Sequence, residues 1–146
     1  MTAIGSDHAG FAYKEKLKIL LNELGEPFYD FGTTSIAPVD YPDYAHAVAE
    51  SVSIGTYPRG ILICGTGIGV SIVANKHKGV RAAASESVAS TRLAREHNDA
   101  NILCFGERII SWETATAMVK VFLTTPFEGG GRHTRRVEKI HSLTNC

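Results

Sequence analysis

The chain has 146 residues, of which 44% are hydrophobic, so it is long enough to form one hydrophobic core. Its 15 Lys and Arg residues balance its 15 Asp and Glu residues, which excludes a strong overall charge that would attract nucleic acid or a membrane surface. We therefore expect a single domain over residues 1–146 and a small-molecule partner. No apolar run approaches the roughly 18 residues of a membrane span, and a basic-then-apolar leader is missing at the N-terminus, so the expected location is cytoplasmic.

The cysteines lie at positions 64, 104 and 146. An odd number without short-range pairing argues against a disulfide framework and against a Cys/His zinc site. We expect all of them to be reduced.

Short β-like apolar runs alternate along the chain with longer helical patterns. In chain order, the pattern predicts strand 2–5, helix 11–24, strand 27–31, helix 44–54, strand 60–64, helix 68–77, strand 80–84, helix 87–96, strand 100–105, helix 112–123 and helix 132–140. Strands 60–64 and 100–105 have the composition of buried strands. This alternation is typical of βαβ units, so the predicted fold is α/β: a doubly wound, Rossmann-like parallel sheet of five strands, with helices on both faces and a C-terminal helix.

The first predicted helix has a leucine face, and Gly25 follows it as a fitting stop. Leu17, Leu20, Leu21 and Leu24 form this face, which we expect to be core. The segments 32–42 and 125–131 are predicted to be loops.

Ligands of open α/β sheets bind beyond the carboxyl ends of the strands. Residues 6–10 follow the first predicted strand, and Cys64 with its glycine loop follows the third. Residues 95–99 precede the fifth strand, and the basic segment 132–136 opens the last helix. These four segments are the first candidates for a functional site.

Cys64 ends an apolar strand and is followed by Gly65, Gly67 and Gly69. Glycines allow a sharp turn that aims backbone N–H groups outward, and the positive end of the helix that follows attracts anions. Cys64 would lie beside these donors as a candidate base or nucleophile. The alternative is an inert thiol buried at a strand end.

The glycine loop does not match the better-known phosphate-binding motifs. Val70 stands where the dinucleotide fingerprint ends in glycine, and the Gly-Lys-Ser/Thr of a Walker loop is missing. No arginine lies between Cys64 and Asn75, which argues against a cysteine-dependent phosphatase.

Histidines and arginines provide further candidates. His8 has Asp7 beside it, and His97 is followed by Asn98, at predicted strand-end or loop positions. Taken singly, these histidines fit purely structural roles equally well. Arg132 and Arg136 share one helix face and could clamp a dianion, with Arg135 pointing elsewhere, or could form a solvated basic face.

In order and spacing, these segments resemble the type B ribose-5-phosphate isomerase family, which includes galactose-6-phosphate and allose-6-phosphate isomerases. The resemblance spans nearly the whole chain. The matching segments are 6–11 (SDHAGF), 40–42 (DYP), 64–69 (CGTGIG), 74–76 (ANK), 97–101 (HNDAN), 106–108 (GER), 130–133 (GGRH) and 136–138 (RVE).

The resemblance implies an aldose–ketose isomerase of the non-oxidative pentose phosphate pathway, which interconverts D-ribose 5-phosphate and D-ribulose 5-phosphate through a cis-enediolate. It implies no metal and no organic cofactor. It also implies a site shared between two subunits, so we expect a homodimer or a dimer of dimers.

Cys64 matches the proton-abstracting base of the family's cysteine branch; another branch has glutamate at the position of Val70 and lacks the cysteine. A helix N-terminus favours the thiolate form of a nearby cysteine. The resemblance further implies that Thr66 assists proton movement between O1 and O2 and that His97 opens the sugar ring, with Asp7 as its partner.

The remaining residues that the resemblance implies bind the substrate. Backbone N–H groups from Gly65 through Gly67 and Ile68 to Gly69 would stabilise the enediolate. His8, Arg108, Arg132 and Arg136 would hold the phosphate, Asn98 would bind a sugar hydroxyl, and Tyr41 would line the pocket.

Two segments depart from the family pattern, namely the glycine run 129–131 and residues 33–39. Because both could reshape the pocket, allose 6-phosphate or galactose 6-phosphate stays open as an alternative substrate. A noncatalytic sugar-phosphate sensor is the alternative from another class, although it would not need Cys64 and His97.

Overall fold

Strands and helices alternate along the chain as the hydrophobic pattern predicts. A computed structural model describes residues 1–146. Its elements are β1 (Thr2–Ser6), α1 (Phe11–Glu23), β2 (Phe28–Asp30), α2 (Tyr41–Ser53), β3 (Arg59–Cys64), α3 (Ile68–Ala74), β4 (Ala82–Ala84), α4 (Val88–Asn98), β5 (Ile102–Gly106), α5 (Trp112–Thr124) and α6 (Arg132–Thr144), with a 3₁₀ turn (His8–Gly10) before α1. Every predicted element is present, which confirms the doubly wound α/β fold.

The five strands form one sheet in the order β2-β1-β3-β5-β4, and every neighbouring pair is parallel. Its central strand, β3, aligns Ile63 with Ser6 of β1 and Cys64 with Gly106 of β5. The loops that leave these three strands therefore meet at one edge of the sheet.

Side chains that alternate along each strand fill a core on both faces of the sheet. One cluster of 13 buried residues contains Ile61 and Ile63 and packs against α1 and α5. The opposite cluster of 12 buried residues contains Leu62 and Cys64 and packs against α2 and α3. The alternation along β3 thus directs the Cys64 side chain towards α2 and α3.

Several element boundaries differ from the predicted ones. Helix α2 begins at Tyr41, three residues before the predicted start, because Pro42 lies in its first turn, where a missing N–H costs nothing. Helix α3 ends at Ala74 and is shorter than predicted. Helix α4 continues to Asn98, and Asp99 ends it in the left-handed conformation. The loops 32–42 and 125–131 are otherwise confirmed.

The leucine face of α1 is core, with one correction. Leu17, Leu20 and Leu21 are buried, but Leu24 is 43% exposed. Leu24 follows the last residue of α1, and Gly25 then takes a φ of +68°, so the chain turns away from the sheet at that point. The predicted stop at Gly25 is confirmed.

A buried ion pair joins α1 to β2. The Lys14 side chain is fully buried, and its Nζ donates to Asp30 Oδ2 at 2.5 Å. Asp30 also accepts the N–H of Gly32 at 2.8 Å through its other oxygen. The Asp30 carboxylate neutralises the buried Lys14 ammonium, which would strongly destabilise the fold if it had no partner. The hydrophobic pattern of the sequence did not indicate this ion pair.

The last helix, α6, has no buried residue. Contacts hold it at both ends: His133 in its first turn stacks on His97 of α4, and Arg81 Nη1 lies 2.9 Å from His141 Nε2. Just after the helix, the Cys146 carbonyl accepts the Gly79 N–H at 2.9 Å. None of the helices combines the length and the apolar composition that crossing a membrane requires.

Candidate active site

Cys64 lies at the carboxyl end of the central strand and is only 4% exposed. Its Sγ accepts the backbone N–H of Gly67 at 3.1 Å. Gly67 has a φ of +78°, and a Cβ at this position would lie 2.7 Å from backbone atoms of Phe105. Only glycine fits here, and this tight turn is what directs an N–H group at the thiol.

The loop after β5 packs onto this turn. The Glu107 N–H donates to the Cys64 carbonyl at 2.9 Å, and the Arg108 N–H donates to the Gly65 carbonyl at 3.1 Å. The Arg108 guanidinium packs directly against Gly65: a Cβ added at Gly65 would lie 3.1 Å from Arg108 Nη1. Arg108 is exposed and takes part in none of the chain's ion pairs, so its charge is available to an anion.

Tyr41 and Thr66 complete the rim of the turn. The Tyr41 ring covers Gly69, where a Cβ would lie 2.7 Å from the ring. Thr66 is exposed, and its Oγ1 accepts the Ile68 N–H at 3.2 Å. Both side chains lie at the mouth of the turn and face solvent.

Asp7 and His8 follow β1 at the same edge. Asp7 is buried, and its Oδ1 accepts the Gly10 N–H at 3.0 Å, which fixes the turn before α1. His8 Nδ1 accepts the Val39 N–H at 3.1 Å. Because an accepting nitrogen carries no proton, the proton of the neutral ring lies on Nε2, which can donate to a ligand.

The structure therefore brings together most of the predicted site residues at the carboxyl edge. We call this set the thiol group: Asp7, His8, Tyr41, Cys64, Gly65, Thr66, Gly67, Ile68, Gly69 and Arg108.

The other predicted site residues lie elsewhere in the chain. We call them the imidazole group: His97, Asn98, Arg132 and Arg136. His97 and Asn98 were predicted to lie at strand-end or loop positions, but they form the last turn of α4.

Helix α4 runs antiparallel to the strands, so its end lies at the amino edge of the sheet. At that edge the Gly60 N–H donates to the Asn101 carbonyl at 2.9 Å, and Asn101 lies five residues before Gly106, which is roughly 16 Å along the strand. One chain thus does not bring Asp7 and His97 together.

His97 of the imidazole group stacks on His133, a residue outside this group, with ring centroids 4.2 Å apart and an interplanar angle of 9°. Nε2 of His133 lies 4.0 Å from a carboxylate oxygen of Glu128. Partial desolvation, followed by the neighbouring His97 and Arg132, holds the pKa of His133 below its ordinary value of 6.5. Arg132 and Arg136 lie one turn apart at the start of α6, are exposed and form no ion pair within the chain.

Two residues near Cys64 were not singled out from the sequence. Glu107 Oε2 accepts the Tyr13 N–H at 3.1 Å, so the loop after β5 caps α1. This contact connects sequence positions far apart, and no local pattern could have indicated it. Cys104 is fully buried on the Cys64 side of the sheet, and burial, with a smaller contribution from Cys64, raises its pKa strongly, so it stays a neutral thiol.

The largest cavity of the chain lies away from Cys64. It has a volume of about 480 Å³ and is lined by residues of β4, α4 and α6, such as Asn98, and by residues that flank these elements, such as Arg81 and Cys146.

Comparison with known proteins decides the family. A family model described as Ribose/Galactose Isomerase matches residues 2–140, which is nearly the whole chain. The protein belongs to this isomerase family.

Individual members of the family are similar to the chain over nearly their whole lengths. Ribose-5-phosphate isomerase B of Escherichia coli is 45% identical over 141 residues, which cover 97% of this chain and 94% of that protein. The structure of ribose-5-phosphate isomerase B from Clostridium thermocellum is 46% identical, with a TM-score of 0.96 over 99% of this chain and 97% of that one. The enzyme from Mycoplasma genitalium, solved with bound ribulose-5-phosphate, is 40% identical, with a TM-score of 0.93 over 99% and 95%.

Proposed function

We propose that the protein is an aldose–ketose isomerase that interconverts D-ribose 5-phosphate and D-ribulose 5-phosphate through a cis-enediolate, in the non-oxidative pentose phosphate pathway. Membership of the isomerase family supports this function, as do the full-length relatives named for it and the M. genitalium structure with bound ribulose-5-phosphate. Residues 1–146 would act as one catalytic domain, in keeping with the continuous sheet.

The observation that carries the proposal is the contact between Cys64 and the glycine turn. To abstract the C2 proton, Cys64 must act as a thiolate, and the Gly67 N–H, 3.1 Å from Sγ, would stabilise negative charge on the sulfur. Neighbouring Cys104 is buried and neutral, so Cys64 is the thiol of this pair that can serve as the base.

The same turn provides donors for the intermediate. The amides of Gly69 and Val70 lie in the first turn of α3 and have no backbone acceptor within the chain. When the thiolate takes the C2 proton, negative charge moves onto O1, where these amides and the Gly65–Gly69 turn can meet it. Loss of one such donor typically slows an enzyme by about 10²–10³-fold.

The remaining proton transfers use only side chains of the thiol group and need no cofactor. Thr66 Oγ moves a proton between O2 and O1, and the Cys64 thiol returns its proton to C1, which gives the ketose and regenerates the thiolate. Thr66 is suited to this role because its exposed hydroxyl lies at the mouth of the turn.

Cationic and hydrogen-bond-donating side chains at the rim of the glycine turn would bind the phosphate. His8 offers an Nε2 proton, and Arg108 offers an unpaired guanidinium beside Gly65. The Tyr41 ring, packed over Gly69, would line the pocket.

We further propose that each site combines the thiol group of one copy with the imidazole group of a second copy. In that complex His97 opens the furanose ring with Asp7 as its partner, Asn98 binds a sugar hydroxyl, and Arg132 and Arg136 hold the phosphate. The imidazole group lies at the sheet edge opposite to the thiol group of the same chain, and this separation supports a site shared between two copies. Exposed apolar side chains next to the catalytic turn, Ile68 at 53% and Ile72 at 57%, support a contact between copies.

A homodimer would satisfy this arrangement, either alone or as half of a dimer of dimers. We also propose a cytoplasmic location, which the three unpaired cysteines support because free thiols persist in reducing compartments.

The decisive experiment follows the C2 proton. Incubation of the protein with ribose 5-phosphate in heavy water should give deuterium at C2 by NMR. Cys64→Ala should lose at least about 10²–10⁴-fold in exchange and in kcat. Calorimetry should still detect ribose 5-phosphate binding to this variant.

Cys146→Ala is the matched control, because this thiol lies at the C-terminus, away from the glycine turn. It should exchange deuterium at the wild-type rate. Full exchange activity in Cys64→Ala would overturn Cys64 as the base. Parallel assays with allose 6-phosphate and galactose 6-phosphate determine the preferred sugar.

A further inference from the structure

Two histidines and a glutamate converge on the surface between α2 and the end of α3. His46 and Glu50 lie one turn apart on α2, and His77 follows α3. One potential ligand atom from each lies within 4.8 Å of the others. His46 Nδ1 is 2.7 Å from His77 Nε2, and the ring centroids are 4.9 Å apart. We call these three residues the α2–α3 cluster.

Backbone contacts determine the tautomer of His77. Its Nδ1 lies 3.1 Å from the Val73 carbonyl oxygen and 3.2 Å from that of Ala74. Because carbonyl oxygens only accept, Nδ1 must carry the proton, and the lone pair of the neutral ring is on Nε2, which faces His46. A histidine held by a carbonyl through one nitrogen, with a lone pair on the other, has the arrangement of metal-binding histidines. The Nε2 lone pair of His77 now accepts a hydrogen bond from His46 Nδ1, so the His46 proton must move to its own Nε2 before both facing nitrogens can bind a metal.

The other two side chains can adjust around this fixed nitrogen. His46 and Glu50 are exposed, and Glu50 forms no ion pair within the chain. Nitrogen ligands of a tetrahedral zinc ion, bound at about 2.0–2.1 Å, lie about 3.3 Å from each other. The rings would have to separate by about 0.6 Å from the present 2.7 Å, which a small rotation of the exposed His46 allows.

We propose that the α2–α3 cluster binds a divalent transition-metal ion of the zinc class through His46 Nδ1, His77 Nε2 and a Glu50 carboxylate oxygen, with water as the fourth ligand. Two imidazoles and one carboxylate are a common zinc donor set. This site is separate from the isomerase chemistry. It lies beyond the C-terminal end of α3, and the seven residues of α3, about 10 Å long, separate it from the Gly67 turn.

The ion would link α2, which begins at Tyr41, to the helix that follows the catalytic turn. An ion that binds only the folded chain raises its thermal stability. A second set of possible ligands, His97, Glu128 and His133, lies beside the imidazole group and provides an internal comparison.

The test is titration of the full chain with ZnCl₂ by calorimetry, together with Co²⁺ absorption spectra. The wild type should bind Zn²⁺ at the α2–α3 cluster and show visible d–d bands with Co²⁺. His46→Ala and Glu50→Gln change exposed side chains and should retain the wild-type circular dichroism. Each should weaken Zn²⁺ binding at least about tenfold and reduce the Zn²⁺-induced rise in Tm.

His133→Asn is the matched control, because it removes a histidine from the other set and should leave the affinity of the α2–α3 cluster unchanged. The proposal is overturned if Zn²⁺ does not bind at millimolar concentration, or if His46→Ala binds like the wild type. A thiolate-to-cobalt charge-transfer band, or loss of binding only in His133→Asn, would assign the metal to other residues and would also overturn it.

Discussion

The thiol group and the imidazole group differ in how the fold supports them. In the thiol group, Cys64 and Asp7 are buried, and each is held by a backbone N–H, from Gly67 and Gly10 respectively. In the imidazole group, Asn98, Arg132 and Arg136 are exposed, and α6 has no buried residue. One group is built into the sheet edge, whereas the other lies on the surface of two helices.

This difference follows from the positions of the groups relative to the core. Residues that directly follow parallel strands are held by the sheet, and the close approach of the Gly67 turn to the Phe105 backbone leaves the turn little freedom. Residues on an amphipathic helix with one side in solvent have no such constraint. On the proposed function, the thiol group provides the chemistry, and the imidazole group gains its final geometry from contact with a second copy.

The prediction with the largest expected effect tests whether the thiol group of one copy acts together with the imidazole group of another. Cys64→Ala alone, and the double variant Arg132→Ala/Arg136→Ala alone, should both be nearly inactive. Co-expressed in equal amounts, they form mixed dimers in which one of the two sites has both groups intact. Half of the dimers are mixed, so about a quarter of the wild-type activity should return.

Differently tagged chains, purified through both tags, isolate the mixed dimer for this assay. Its specific activity should be about half that of the wild type. A mixed dimer that is folded yet inactive would show that both groups must come from the same chain.

A smaller effect, on the free energy of unfolding, is expected when alanine replaces a glycine near the thiol group or near the imidazole group. Gly67→Ala would force an alanine into a φ of +78° and place its Cβ 2.7 Å from the Phe105 backbone. Backbone strain alone costs about 1–3 kcal/mol, so the free energy of unfolding should fall by at least this amount in urea titrations.

Gly129→Ala is the matched change in the glycine run before α6. Its Cβ would meet only ordinary contacts at 3.5 Å with Phe127 and Thr134. The free energy of unfolding should change by less than about 0.5 kcal/mol. Equal losses in both variants would contradict the distinction between a constrained turn and an unconstrained segment.

The smallest effect concerns the pH dependence of the stacked histidines. The pKa of His133 is lowered in the folded chain, so protonation favours the unfolded state. Well above pH 6.5 the ring is neutral in both states and contributes nothing, whereas stability is lost as the pH falls through 6.5 towards the folded pKa. NMR titration of the His133 ring should give a midpoint below 6.5.

Removal of the stacked partner should shift this midpoint. In His97→Asn the unfavourable interaction with His97 is gone, so the pKa of His133 should rise relative to the wild type. A midpoint at or above 6.5 in the wild type would show that the stacking does not disfavour the charged ring.

Much of the thiol group could be predicted from the sequence because its signals are local. Cys64 and the glycines that follow form one continuous segment, and the rule that parallel sheets bind ligands at their carboxyl ends placed Asp7 and His8 beside it. The extension of α4 to Asn98 was not anticipated, because helix ends depend on caps such as the left-handed Asp99 more than on apolar periodicity. That extension moved His97 from a predicted loop into a helix.

The order of apolar and polar residues by itself determined the element sequence, the parallel sheet and the segment that holds the candidate base, because periodicity and glycine placement act over a few neighbouring residues. Only the tertiary structure decided which distant groups meet: Lys14 with Asp30, Glu107 with the start of α1, and His46 with His77. The same folding separated the thiol and imidazole groups to opposite edges of the sheet. These contacts join residues far apart in the chain, and chain topology, rather than local pattern, determines which of them become neighbours.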